Sequence, residues 1–127
     1  MTTAPILLVE DDPSLVEALS FILEAAGFAV ESTSDGDEAL RRMRRQRFAA
    51  VVLDIMLPGT DGFDVLRTIR ADRALAATPV VVLTAKGQAN DRETAEAAGA
   101  SAFITKPFSN SEVVDRIRRL VGGQEGG

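Results

Sequence analysis

Five short apolar runs, each followed by a stretch with helical spacing, constrain the fold of this 127-residue chain more than any other feature. The runs fall at residues 6–9, 28–33, 48–53, 80–83 and 102–104. After the first, Leu15, Leu19, Ile22 and Leu23 follow the i, i+4, i+7, i+8 spacing of one helix face, and Gly27 stands where a helix C-cap belongs. Helices are expected again at 37–46, at 63–71 through Leu66 and Ile69, at the alanine-rich 88–98 stopped by Gly99, and at 109–121. Turn residues Ser34, Asp35 and Gly36 close the weaker second run, and Leu57, Pro58 and Gly59 follow the third. Runs one, three and four are apolar throughout, as strands are when helices cover both faces of a parallel sheet. The expected architecture is a three-layer, doubly wound α/β domain of five βα units, spanning 1–121, with 122–127 as a flexible tail or truncated linker.

The chemistry available to such a domain is narrow. No cysteine and no histidine are present, which excludes zinc sites, thiol nucleophiles, disulfide scaffolds and Ser-His-Asp triads. Carboxylates, hydroxyls, lysine and arginine remain, and any metal must be a hard, oxygen-liganded ion. A net charge of −5 argues against nucleic-acid binding by the surface as a whole. The N-terminus lacks a signal peptide's basic region and long apolar core, and no run approaches the ~20 residues of a membrane span. The expectation is a cytoplasmic domain with no membrane contact.

In an open parallel sheet, functional groups gather just beyond the carboxyl ends of the strands. Those ends carry Glu10, Asp11 and Asp12, then Asp54, Thr84 and Lys106. Asp12 precedes Pro13 and reads as a helix N-cap. Glu10 and Asp11 are not explained that way, because clustered carboxylates repel unless a cation offsets them. Asp54 could open a turn, but it ends a wholly apolar strand. Thr84 alone would usually bond backbone. Lys106, one of only two lysines, precedes Pro107 at a strand end, where it can pair with the carboxylates and where a cis bond is plausible.

These residues resemble the receiver domain of two-component response regulators, the CheY-like family. The likeness runs from 5 to 121 through Glu10, Asp11 and Asp12, the stretch 52–59 with Asp54, then Asp61 and Gly62, the stretch 81–85, and 103–108. It implies a flavodoxin-like (βα)5 fold with strand order 2-1-3-4-5. It further implies that Asp54 accepts a phosphoryl group from a sensor histidine kinase or a histidine phosphotransfer protein. Mg²⁺, for which Mn²⁺ can substitute, would be bound by Asp11, Asp54 and the backbone carbonyl of Met56, with Glu10 acting through water. Thr84 and Lys106 would hold the phosphoryl oxygens. Such a domain is no enzyme beyond its own phosphorylation and slow self-dephosphorylation. Its output would pass through the face of the fourth helix, fifth strand and fifth helix to a partner protein or a missing output domain, as a monomer or a phosphorylation-dependent dimer. Thr84 and Phe103 would form the switch, although Phe103 lacks the hydroxyl of the tyrosine frequent at its position. Ala85, beside Thr84, is small enough to leave the site accessible.

Three rivals are weaker. An aspartate-nucleophile phosphatase usually needs a second carboxylate two residues on, where Met56 stands. A flavin or nucleotide site needs a Gly/Ser/Thr-rich loop after the first strand, where the acidic residues would repel phosphate. A degenerate receiver would be expected to lack one of the five key side chains. The one basic run, Arg41 to Arg47, lacks interleaved aromatics and reads as a solvated face. The fifth run, preceded by Gly99, Ala100 and Ser101, lacks the paired acids frequent in winged-helix DNA-binding regulators, which points to a single-domain or other class.

Overall fold

The computed structural model describes residues 4–57, 59–84 and 89–125, with the backbone alone for 89–92 and 123–125. The expected turn residue Pro58, Ala85, Lys86 and the expected helix start at Gln88 lie outside the described residues. The elements run β1 (Ile6–Val9), α1 (Pro13–Ala25), β2 (Val30–Thr33), α2 (Gly36–Arg45), β3 (Ala50–Asp54), β4 (Met56–Leu57), β5 (Thr60–Asp61), α3 (Gly62–Ala71), β6 (Val80–Thr84), α4 (Ala89–Ala98), β7 (Ala102–Thr105) and α5 (Asn110–Glu125).

The main sheet is parallel throughout, in the order β2-β1-β3-β6-β7. This is the expected 2-1-3-4-5 arrangement, with β6 and β7 as its fourth and fifth strands. The extra numbers come from an antiparallel two-residue hairpin, β4 with β5, which the expected turn at 57–59 does not anticipate. Its strands are too short for side-chain alternation to register. Strands β2 and β3 each begin two residues later than expected, because Phe28 and Phe48 pack in the approach to the strand. Helix α5 continues past the expected end at Val121 to Glu125, through Gly122.

Alternation along the strands builds two cores, one on each side of the sheet. Ile6, Leu8, Ala50, Val52, Val81, Leu83 and Ile104 pack under α1 and α5 against Leu19, Leu23, Val113 and Ile117. Leu7, Val9, Val51, Leu53, Val80 and Val82 face α2, α3 and α4, meeting Met43, Val65, Leu66, Ile69 and Ala95. Helix starts follow the local chemistry. Asp12, Asp35 and Asp61 each accept a hydrogen bond from the backbone N–H two residues on, at 3.0, 2.9 and 2.9 Å. Helix α1 stops where Gly27 takes φ +101°, and Phe28 N–H then bonds the Leu23 carbonyl at 3.0 Å.

Two arginine arrangements complete the frame. In α2, Arg41 and Arg42 pair with Glu38 at 3.1 and 3.0 Å, and Arg44 pairs with Asp72 at 3.3 Å. Arg42 also donates to the Ser32 carbonyl at 3.0 Å, covering the open edge of β2. Much of the basic run is therefore matched within the molecule. Arg70, half-buried at the end of α3, donates to the carbonyls of Gly99 (2.7 Å), Ala76 (3.0 Å) and Thr78 (2.6 Å) and to Ser101 Oγ (3.1 Å). Ser101 Oγ in turn accepts from Val80 N–H at 3.0 Å. One guanidinium thus ties α3, the following loop and the starts of β6 and β7 together at the end of the sheet opposite the acidic edge.

Candidate functional site

The same alternation that sorts the core also assembles the site. Glu10 lies two residues beyond Leu8, Asp54 two beyond Val52, and Lys106 two beyond Ile104, all of them side chains on the α1 and α5 face. Register then sets Glu10 level with Asp54, since Leu8 pairs with Val52, and places Lys106 two residues further along, since Asp54 pairs with Leu83 and Leu83 with Ile104. Backbone bonds hold the ends in place: Glu10 N–H to Thr33 O at 3.0 Å, Ile55 N–H to Leu83 O at 3.2 Å, and Lys106 N–H to Thr84 O at 2.8 Å.

Lys106 Nζ lies 3.0 Å from Asp54 Oδ2 and 3.6 Å from Glu10 Oε1. The other Asp54 oxygen, Oδ1, accepts the Met56 N–H at 2.8 Å. Glu10 Oε2 accepts the N–H groups of Asp11 and Asp12 at 3.0 and 3.1 Å. Glu10 and Asp54 are buried, at 2% and 3% exposure, while Asp11 is open to solvent. The Lys106–Pro107 peptide is cis.

Burial pushes the Glu10 carboxyl up to about 7, and the neighbouring Asp54 adds to the effect. Burial works against ionisation of Asp54 as well, but hydrogen bonding with Glu10, Met56 N–H and Lys106 outweighs it, so Asp54 sits below the ordinary carboxylate range. Burial opposes the charge on Lys106 too, yet Asp54 and Glu10 hold its ammonium above the usual lysine value. The outcome is an ionised aspartate, short of water, with a cation fixed against one oxygen. That is a carboxylate poised to act as a nucleophile rather than as an acid.

Carboxylate oxygens of Glu10, Asp11 and Asp54 lie within 4.8 Å of one another. Glu10 Oε1 is buried and has no hydrogen-bond partner. An orphaned carboxyl oxygen in an all-oxygen donor set fits a hard divalent cation such as Mg²⁺, which keeps much of its water and needs few protein ligands.

Thr84 is buried, at 1% exposure. It pairs in register with Thr105, two residues beyond the Val82–Phe103 pair, so alternation sets Thr84 and Phe103 in line on one face of the sheet. Phe103 is half-buried against the core there. Asp12 serves as the α1 N-cap.

Two contributors were not legible as such in the sequence. The Met56 N–H anchors Asp54, a backbone role that no side-chain pattern announces. Gly62 N–H bonds the Ile55 carbonyl at 3.2 Å, and a Cβ at Gly62 would clash with Ile55 Cα and lie 2.9 Å from the Asp54 carbonyl. Only the glycine itself, following Asp61, could have hinted at so close an approach.

Comparison with known proteins agrees with this geometry. The family model for the response regulator receiver domain matches residues 6–118. The DNA-binding response regulator MtrA of Mycolicibacterium smegmatis is 43% identical over 113 residues, which cover 89% of this chain and 48% of MtrA. The transcriptional regulatory protein ResD of Bacillus subtilis is 39% identical over 116 residues, covering 91% of this chain and 47% of ResD. The chain therefore spans about half the length of these relatives. Among solved structures, the receiver domain of the sensor histidine kinase PA1611 from Pseudomonas aeruginosa superposes with a TM-score of 0.87 at 35% identity, over 95% of this chain and 99% of that one. It has a magnesium ion coordinated in its active site cleft.

Proposed function

Because the chain belongs to the response regulator receiver domain family, a family of regulatory phosphoacceptors in two-component phosphorelay signalling, we propose that Asp54 is its phosphoacceptor and that a sensor histidine kinase or histidine phosphotransfer protein is the donor. The observation that carries this reading is the position of Asp54: buried, ionised, and held by the Lys106 ammonium on one oxygen and the Met56 N–H on the other.

Each residue has a physical task. Phosphoryl transfer asks little covalent work of the protein and much charge neutralisation and alignment. Lys106 offsets the approach of one anion to another and stays as counter-charge to the product. Asp11, Asp54 and the Met56 carbonyl would hold Mg²⁺ or Mn²⁺, with Glu10 acting through water. The ion would supply the remaining neutralisation of the phosphoryl oxygens. Thr84 would meet a phosphoryl oxygen through its hydroxyl, and its movement would leave room for Phe103 to turn inward. Such a switch biases two existing arrangements of the α4, β7 and α5 face, which then speaks to an output partner. The receiver unit is drawn at 1–121, and Val121, on the inner face of α5, is buried in the core.

Incubation with a small phosphodonor and Mg²⁺, followed by intact-mass measurement, tests the assignment. One phosphoryl group is expected, and none when chelator is present or in Asp54→Asn. Uptake by Asp54→Asn at the parent rate would sink it.

A second expectation concerns the lifetime of that group. Met56 is 70% exposed, and its thioether is too weak an acceptor to align a hydrolytic water. Met56→Asn should shorten the lifetime about two- to tenfold, the worth of one net hydrogen bond. Decay followed by mass after donor removal reads it directly, and equal rates would refute it.

A further inference from the structure

Three methionines occur in the chain. Met43 is buried on the inner face of α2 at 6% exposure, and Met1 lies outside the described residues. Met56 stands apart, 70% exposed on a hairpin strand and joined through its backbone N–H to Asp54 Oδ1 at 2.8 Å. The only other large exposed apolar residue among those described is Phe21 on α1. Thioether oxidation follows access to solvent, so the same exposure makes Met56 the most reactive sulfur among the described residues.

We propose that Met56 is a reversible oxidation site through which hydroperoxides shorten the life of the phosphoryl group on Asp54. The chemistry is a two-electron oxygen transfer. A sulfur lone pair attacks the peroxide, the O–O bond breaks, a sulfur–oxygen bond forms, and the peroxide leaves as water or an alcohol. The product replaces a poor hydrogen-bond acceptor with a strong one, two residues from the acceptor carboxylate. A sulfoxide oxygen can accept from a water and steer it toward phosphorus, which the thioether cannot. Sulfoxide reductases return the sulfur to its starting state, so the effect is a switch rather than damage. The inference rests on the phosphoacceptor reading of Asp54 but adds to it a modification, a class of reagent and a direction of control.

Hydrogen peroxide is the probe. Peptide mapping of the treated protein should place the added oxygen on Met56, with Met43 protected while the fold stays intact. Treated and untreated protein are then phosphorylated with a small phosphodonor and Mg²⁺, the donor is removed, and decay is followed by intact mass. The oxidised form should lose its phosphoryl group about two- to tenfold faster, and a methionine sulfoxide reductase should restore the slow rate. Met56→Leu, whatever its own rate, should not respond to peroxide. The proposal is overturned if Met56 stays reduced while Met43 oxidises, if the two lifetimes coincide, if oxidised protein takes up no label while reduced protein does, or if Met56→Leu responds as the parent does. Failure of untreated protein to take up a phosphoryl group would strike the Asp54 assignment itself, which separates the two ideas.

Discussion

Lys106→Met is expected to lower phosphoryl uptake from a small donor by about 10²- to 10³-fold, the usual cost of removing one preorganised charge-stabilising donor. The substitution keeps the length and packing of the stem while deleting the ammonium that lies 3.0 Å from Asp54 and 3.6 Å from Glu10. Stability should fall as well. Breaking a fully enclosed ion pair costs about 3–5 kcal/mol, and Lys106 keeps about a third of its side chain in water, so about 2 kcal/mol is expected near neutral pH. The sign of the pH dependence follows. Without the cation, the folded-state values of Asp54 and Glu10 move up, so the folded variant holds more protons than the folded parent and loses stability relative to it as pH rises. The gap between parent and variant should therefore widen from about pH 4 upward and narrow in acid, where both carboxyls are protonated in either protein. Denaturant titrations at several pH values measure it, and saturating magnesium should reduce the gap by taking over the neutralisation. A gap independent of both pH and magnesium would detach Lys106 from the carboxylates.

The triad that this variant dissects was legible in the sequence because each member sits at a strand end that composition alone reveals. Runs such as 48–53 and 80–83 are apolar enough to leave no doubt where the strands stop, and period-2 alternation then dictates which side the next polar residue takes. Details governed by backbone were not legible. The hairpin of β4 and β5 has two residues per strand, too few to show a period. The bond from Met56 N–H to Asp54 belongs to a group every residue carries. Arg70 looks like any charged residue at the end of an amphipathic helix, and only the folded chain brings the carbonyls of Ala76, Thr78 and Gly99 around it. The end of α5 was misplaced for a related reason. Gly122 and Gly123 read as helix breakers, but each costs a helix interior only about 1 kcal/mol, a penalty that continued helical hydrogen bonding can absorb.

Gly62→Ala should be the most damaging single-methyl change at the site. The added Cβ would meet the backbone of Ile55 and the carbonyl of Asp54, neither of which can swing aside as a flexible side chain could. Overpacking against a side chain costs about 1–3 kcal/mol, and a backbone obstacle belongs at or above the top of that range. The strain falls on the peptide that follows the acceptor, so phosphoryl uptake should slow beyond what the unfolded fraction explains. Gly122→Ala provides the matched control. Nothing lies within 4 Å of its Cβ and it sits in a helix, so it should stabilise by about 0.5–1 kcal/mol. Chemical denaturation of the two variants side by side should move their midpoints in opposite directions, and a Gly62→Ala midpoint at or above the parent's would contradict the close approach.

The guanidinium of Arg70 has a consequence for how the molecule meets its ionic surroundings. Among the described residues no carboxylate partners it; its acceptors are neutral oxygens at 2.6–3.1 Å. Dissolved electrolyte weakens attraction between full charges far more than it weakens hydrogen bonds sheltered from water. The base of the domain should thus keep its shape from dilute buffer to brine, while the opposite rim, where two enclosed carboxylates face one ammonium, answers to which cations are present rather than to salt in general.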